Sequence, residues 1–371
     1  MTQAQNGDLL RIAQPAQPDT KPVQPRILLN TAGGLATGLL LGILLALVYE
    51  RLDTRVRTSE AVAELLKWPV LVTIRQVKSS NREEMINPSG QDPNVEPYRI
   101  LRTNIGFSAI DKPLHSILVT SAMPRDGKSV IAANLAIFMA KAGKNTLLID
   151  ADLRRPTQHM LFSLPAGSVG LSNAVLAFGT QTSTGANPPS LSSPFLNPLT
   201  QPLNTPATSG PSFGSFVHSV GIPNLWIMPS GPLPPNPSEL LDSKAMQRFL
   251  TIVENCGVEV VIFDSPPLLG LSDTSILAPK VDGALVVVDI SRANKGKLKQ
   301  LKAVLSQTGA NVLGCVINKQ RKSRNDTTLE YYYYFTDQQD DERKSAKNGH
   351  TPSVPVSPSS SWSSSQFDRS N

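Results

Sequence analysis

The sequence predicts an α/β fold, a mostly parallel sheet with helices on both faces, preceded by one transmembrane helix. Three observations predict it. Short apolar, β-branched runs alternate with helical stretches, the pattern of parallel strands joined by crossovers. Several of these runs end in reactive side chains: Ser116–Ser121 leads into Ala122 to Ser129, Asn145–Asp150 into Asp152, and Val258–Phe263 into Asp264. Residues 27–49 carry no charge, over a length that matches a bilayer.

Taken in order, residues 1–26 are a polar lead-in with Pro15, Pro18, Pro22 and Pro25. Residues 27–49 read as a membrane span, because about 23 residues at ~1.5 Å rise give roughly 34 Å. A signal peptide would carry a shorter apolar region and a small-residue cleavage site. Arg51, Arg55 and Arg57 outweigh Lys21 and Arg26, which puts the C-terminal bulk in the cytoplasm. Residues 50–94 form a juxtamembrane region and linker. In it Thr58 caps a short helix to Lys67, ended by Pro69, and Val70–Ile74 is a strand; Gln76–Asn94 is a polar linker.

The domain proper spans 95–320. Glu96–Ile110 is an amphipathic helix with Tyr98, Leu101 and Ile105 on one face. Glu96, Arg99 and Arg102 follow at three-residue spacing on another face, which periodicity alone reads as solvated and internally paired. Next come a strand, the loop Ala122-Met123-Pro124-Arg125-Asp126-Gly127-Lys128-Ser129, and a helix over Val130–Ala142. A helix N-terminus leaves free N–H groups aimed at one point, and phosphate oxygens satisfy them. The order is P-loop NTPase-like, with Lys128 reaching the β/γ-phosphates of ATP and Ser129 ligating Mg²⁺. Ala122 stands where the usual pattern begins with Gly. Ala122, Pro124, Arg125, Asp126, Gly127, Lys128, Ser129 and Val130 are the candidate nucleotide contacts.

Further strands over Asn145–Asp150, Val258–Phe263, Gly283–Ile290 and Val312–Asn318 put Asp150, Asp152 and Asp264 at carboxyl ends, where ligands of such sheets lie. Asp264 ends its strand as a metal-supporting aspartate does. Of Asp150 and Asp152, one accepts a proton and the other supports the metal, and spacing does not assign them. Capping of the next helix is the competing use for the pair.

Two tracts interrupt the pattern. Gly179–Gly214 is rich in Ser, Thr, Pro and Asn and reads as a disordered insertion. Residues 321–371 hold a Ser-rich tail and Tyr331-Tyr332-Tyr333-Tyr334, four of the 6 tyrosines of the chain. Their polar, acidic neighbours argue against a buried strand and for phosphoryl acceptors. The net charge of +6 comes without basic runs interleaved with aromatics, which favours an anionic membrane face over nucleic acid. Cys256 and Cys315 read as buried thiols of a reducing compartment, and His115, His159, His218 and His350 show no ligand spacing.

These motifs together resemble the bacterial tyrosine kinases of capsular and exopolysaccharide biosynthesis. The matching residues are the Walker A loop Ala122–Ser129, the D-x-D-x-R motif Asp150–Arg154 after Leu147-Leu148-Ile149, and the Walker B run Val260–Asp264 with Ser265-Pro266-Pro267. Pro229–Leu241 and the terminal tyrosines also match, and Glu96, Arg99 and Arg102 fit the E-x2-R-x2-R oligomerisation motif. The lead-in and span resemble the last transmembrane helix of a polysaccharide chain-length regulator; the regulator's other half would then lie on a longer parent chain or a separate protein.

The resemblance implies an inner-membrane, single-pass protein that autophosphorylates Tyr331–Tyr334 in trans within a ring of subunits, using ATP and Mg²⁺, and so regulates polysaccharide polymerisation and export. It implies Asp150 as base, Asp152 and Asp264 beside Mg²⁺ with Ser129, and Asn318 near the nucleobase. The family usually has Gly where this chain has Arg125. A partition or cell-division type ATPase would carry an extra lysine early in the loop, where Met123 stands. A nucleotide-binding adaptor of the polysaccharide machinery is the third reading.

Overall fold

The computed structural model describes residues 27–52, 54–76, 94–108, 113–179 and 213–320. Helix α1 (Ile27–Leu52) is the apolar run. Its window Leu28–Glu50 has a mean hydropathy of 2.1 and 0% of it is buried against the protein, so length and composition suffice to cross a bilayer. Thr31 and Thr37 return their hydroxyls to the carbonyls of Leu28 and Gly33, bonds that would satisfy them in an apolar medium. Helix α2 (Ser59–Leu66) starts at Thr58, whose Oγ1 accepts the Ala61 N–H at 3.3 Å. It stops at Lys67, in left-handed backbone, before Pro69 is reached.

Among the described residues eight strands form one sheet: β1 (Val70–Arg75), β2 (Ser116–Ser121), β3 (Thr146–Asp150), β4 (His218–Ser219), β5 (Leu225–Met228), β6 (Val260–Asp264), β7 (Gly283–Asp289) and β8 (Val312–Gln320). The order is β1-β8-β7-β2-β6-β3-β5-β4, parallel except where β4 meets β5. The helices are α3 (Val95–Ser108), α4 (Lys128–Lys141), α5 (Gln158–Leu161), α6 (Leu171–Gly179), α7 (Pro237–Asp242), α8 (Lys244–Glu254), α9 (Asp273–Leu277) and α10 (Lys295–Thr308). Strand β2 lies between β6 and β7, so the chain leaves it in both directions and opens a crevice at its carboxyl end.

Strand alternation sorts the core into two halves. On β2, Leu118 faces the layer of α2, α6, α8 and α10, while Ile117 and Val119 face α3 and α4. Val261 and Phe263 of β6 and Val286 and Val288 of β7 join the first half; Val260, Ile262, Leu285 and Val287 join the second.

Helix α4 is buried around its whole circumference from Ile131 to Ala140. It can be apolar on all sides because α3 covers the side turned away from the sheet. Tyr98 of α3 stacks on Phe138 of α4 with ring centroids 5.5 Å apart. The Glu96–Arg99 ion pair, at 3.2 Å, stays on the outer surface.

Four expectations shift. Strands β4 and β5 were not expected, because Leu225-Trp226-Ile227-Met228 is too short to show a period. The insertion's C-terminal border moves back from Gly214, since Phe213–Phe216 is a 3₁₀ turn anchored by Phe213 stacking on Phe249 at 6.3 Å. Asn94 is a buried clamp, accepting the Arg75 N–H and donating to the Arg75 carbonyl. Helix α4 begins at Lys128, two residues before Val130. The proline-rich lead-in, most of the insertion, the tyrosine cluster and the tail lie outside the described residues.

Replacing Tyr98 with Ala empties the seat behind α4. We expect a loss of about 3–5 kcal/mol in denaturant unfolding, the range for a buried large aromatic.

Candidate active site

The phosphate loop runs from the end of β2 into α4, and side chains within and beside it hold it open. Asp126 accepts the Met123 N–H at 2.9 Å, and Ser121 Oγ donates to the Met123 carbonyl at 2.8 Å. Two residues at the end of β8 hold the loop from outside. Asn318 Nδ2 donates to the Asp126 carbonyl at 2.8 Å. Lys319 Nζ donates to the Arg125 carbonyl at 2.8 Å and to Asp289 at 2.6 Å.

Gly127 has φ +95, and a Cβ there would run into the Asn318 amide. Arg125 has φ 68 and an exposed side chain. That is left-handed backbone, which explains why Gly is the usual residue at this position.

The polar chemistry of the loop converges on one ammonium. Lys128 Nζ lies 3.0 Å from Asp152 Oδ2, 3.5 Å from Asp264 Oδ1 and 3.1 Å from Ser129 Oγ. Burial works against its charge, but Asp264 and Asp152 outweigh burial and hold the lysine above its usual range. Asp150 sits in register beside Asp264 on the neighbouring strand. Its Oδ2 accepts the Thr157 and Gln158 N–H groups, both at 2.9 Å, and its Oδ1 the Asp152 N–H at 3.2 Å. Burial first, and then the Asp264 charge, push the Asp150 carboxyl well above the carboxylate range.

Ala122 and Pro124 flank the loop entrance, Pro124 exposed, and Val130 is half-buried in the first turn of α4. The fold thus brings together Lys128, Ser129, Asp150, Asp152 and Asp264. Glu96, Arg99 and Arg102 lie apart on α3, and Tyr331–Tyr334 lie outside the described residues.

Sequence reasoning missed Gln158. It is fully buried; its Nε2 donates to Asp264 Oδ2 at 2.8 Å and to the Ser129 carbonyl at 3.1 Å, while its Oε1 meets no partner among the described residues. Also missed is the grip of Arg154 on Asp273, through Nε at 2.7 Å and a terminal nitrogen at 3.0 Å. Ser238 Oγ donates to the same carboxylate at 2.8 Å, which ties the Asp150–Arg154 segment to α7 and α9. Gln158 and Asp273 belong to no pattern of spacing, and the motifs that contain Arg154 and Ser238 do not name their partner.

The site takes a nucleotide in the crevice of a β2–loop–α4 unit, and its hard oxygens, Ser129 Oγ and the Asp152 and Asp264 carboxylates, suit a hard divalent cation. Beside it lies a cleft lined by Met123, Asp126, Asp289, Arg292 and Lys297. Burial lifts the Asp126 carboxyl from 3.8 to about 6. An acid raised in the folded state is protonated below its unfolded value and loses stability as pH rises through the folded one. Asp126→Asn is therefore expected to match the parent chain near pH ~4 and to exceed it by up to about 3 kcal/mol near pH ~8 in urea unfolding.

A model of the CobQ/CobB/MinD/ParA nucleotide binding domain matches residues 117–338. The tyrosine-protein kinase YwqD of Bacillus subtilis (strain 168) is 35% identical over 233 residues, covering 62% of this chain and 84% of YwqD. CapB of Staphylococcus aureus is 32% identical over 238 residues, covering 64% of this chain and 89% of CapB. The crystal structure of the chimerical protein CapA2B2 superposes with a TM-score of 0.58 at 32% identity, covering 71% of this chain and 100% of that one. The chain belongs to the CobQ/CobB/MinD/ParA nucleotide-binding domain family and, within it, to the bacterial tyrosine-protein kinases.

Proposed function

We propose that the chain is an ATP- and Mg²⁺-dependent protein-tyrosine autokinase that phosphorylates Tyr331–Tyr334 on a neighbouring copy. We further propose that this cycle regulates capsular or exopolysaccharide polymerisation and export, with a chain-length regulator as partner and α1 in the bacterial plasma membrane. The observation that carries the reading is the convergence of Lys128, Ser129, Asp150, Asp152 and Asp264 on one point at the carboxyl ends of β2, β3 and β6. A tyrosine run follows β8 in the same chain. The membership in the tyrosine-protein kinases supports it.

Phosphoryl transfer needs the γ-phosphate held, its charge neutralised and an acceptor oxygen aligned. In this reading the loop amides and Lys128 hold the β/γ-phosphates. Three carboxylates against one ammonium would repel a polyphosphate; Mg²⁺ held by Ser129, Asp152 and Asp264 offsets that excess. The tyrosine oxygen bonds to the γ-phosphorus, the bond from that phosphorus to the bridging oxygen breaks, and ADP leaves. The tyrosine proton passes to Asp150 in its ionised form; burial and the Asp264 charge raise its proton affinity, and the Lys128 ammonium and a bound Mg²⁺ would favour the ionised state. Gln158 positions Asp264 by fixing its Oδ2, leaving Oδ1 toward Lys128, where it would be free to hold Mg²⁺ once the ammonium turns to phosphate. Glu96, Arg99 and Arg102, on the outer face of α3, are the proposed contacts of a ring.

The test mixes two full-length variants, neither able to label itself, with Mg-ATP: a catalytically intact donor with Tyr331–Tyr334 changed to Phe, and an acceptor carrying Lys128→Met. Phosphotyrosine is expected on the acceptor in the mixture and in neither variant alone, with the Lys128→Met loss at least about 100-fold. Labelling of Lys128→Met by itself would discredit the site, and an unlabelled mixture would rule out transfer between copies.

Gln158→Leu removes the donor to Asp264 and leaves a buried carboxylate oxygen unsatisfied, costing about 1–3 kcal/mol of stability. We expect retained nucleotide binding, a lower kcat, a higher Mg²⁺ requirement and an acidic limb of the pH–rate profile displaced upward. An unchanged profile and Mg²⁺ requirement would restrict Gln158 to packing.

A further inference from the structure

Helix α10 carries Lys295, Lys297, Lys299 and Lys302 and no acidic residue. Lys295, Lys299 and Lys302 fall at i, i+4 and i+7, one row about 10 Å long. Leu298, Leu301 and Leu305 bury another face of the helix. Lys295 and Lys299 are exposed and Lys302 half-buried. Lys280 and Lys319 elsewhere pair with Asp242 and Asp289, whereas no carboxylate among the described residues pairs with the row. Lysines in the first turn also oppose the helix dipole, so helix stability does not account for their placement.

The start of α10 is fixed to the segment that leaves α1. Lys295 N–H donates to the Thr54 carbonyl at 2.8 Å, Val56 N–H to the Ala293 carbonyl at 3.0 Å, and Arg55 bridges Asn294 antiparallel. Asn294 Nδ2 adds a bond to Thr54 Oγ1 at 2.7 Å. The apolar window ends at Glu50. The few residues from there to Thr54 extend at most about 14 Å, under two Debye lengths at physiological salt. A row of ammonium groups that meets no carboxylate among the described residues is thereby tethered at the surface of whatever bilayer α1 crosses.

We propose that the Lys295–Lys299–Lys302 face of α10 binds anionic lipid headgroups of the leaflet from which α1 emerges, seating the domain against the membrane. This rests on the reading of α1 as a span. The charge complements an anionic leaflet, and each lysine near such a surface adds a comparable increment of attraction. No aromatic residue lies on α10 to stack bases, which sets a nucleic acid aside.

The test uses the full chain reconstituted in nanodiscs of zwitterionic lipid, with or without an anionic lipid, and acetylation of lysines read by mass spectrometry. Lys141, exposed at the far end of α4, is the internal reference. Lys295, Lys299 and Lys302 are expected to react about fivefold or more slowly in anionic discs, with the protection lost at high salt. Equal reactivity in the two discs overturns the proposal. Protection of equal size in both assigns the row to an acidic protein segment and overturns it too. An alkaline wash of vesicles carrying the chain tests the span separately: release means α1 does not cross the bilayer, which removes the tether. A chain that stays in the vesicles while its lysines react equally defeats the lipid contact alone.

Discussion

Three carboxylates and one ammonium, withdrawn from water at adjacent strand ends, are the constraint on which the rest of this fold depends. Parallel register sets Asp150 beside Asp264, and both are fully buried. Left alone, two such charges would drive each other and the strands apart. They are held by donors from three directions: backbone amides of residues 152, 157 and 158 on Asp150, Gln158 on Asp264, and Lys128 on both Asp264 and Asp152. Withdrawing the ammonium would leave buried charge uncompensated, a cost of about 3–5 kcal/mol. Lys128 is thus a counter-ion of the ligand-free fold as well as a candidate phosphate ligand. A nucleotide that draws it toward phosphate needs another cation beside the carboxylates.

That constraint explains the architecture around it. Lys128 begins α4, and α4 is fixed because it is enclosed on every side, by the sheet within and by α3 without. A helix free to slide would carry the ammonium off its carboxylates. Tyr98 and Phe138 therefore serve the site although neither is near it. The Asp150–Arg154 segment is held likewise: Arg154 and Ser238 converge on Asp273, which is fully buried, so the turn carrying Asp152 is tied to α7 and α9.

What the sequence makes legible is whatever repeats or sits next to its partner. The strands ending at Asp150 and Asp264, the loop before α4 and the Thr58 cap are local patterns, and each stands within about two residues of its expected place. Contacts between distant segments are not legible. Gln158 meets Asp264, and Asn318 meets Asp126, only because strand order brings them together. The buried Gln158 follows a turn in a polar stretch, where nothing local distinguishes it from a surface amide. The pair β4 and β5 escapes notice because a two-residue edge strand and four apolar residues beside it fit a loop as well as strands. Asn94 sits at the end of a polar linker and is buried only because Arg75 offers it a donor and an acceptor.

The two departures of the phosphate loop from its usual glycines are physically different. Ala122 is absent from the positive-φ residues and is buried at the end of β2, so its backbone makes no demand that only Gly could meet. Arg125 is left-handed, a conformation that costs an L-residue about 1–2 kcal/mol. Two contacts offset it. Lys319 holds the Arg125 carbonyl while its ammonium is shared with Asp289, and Asn318 holds the next carbonyl along. With consecutive carbonyls fixed by consecutive residues of β8, the loop keeps its curve without a glycine at that corner. The Arg125 side chain remains in solvent, at the rim of a site that receives an anion.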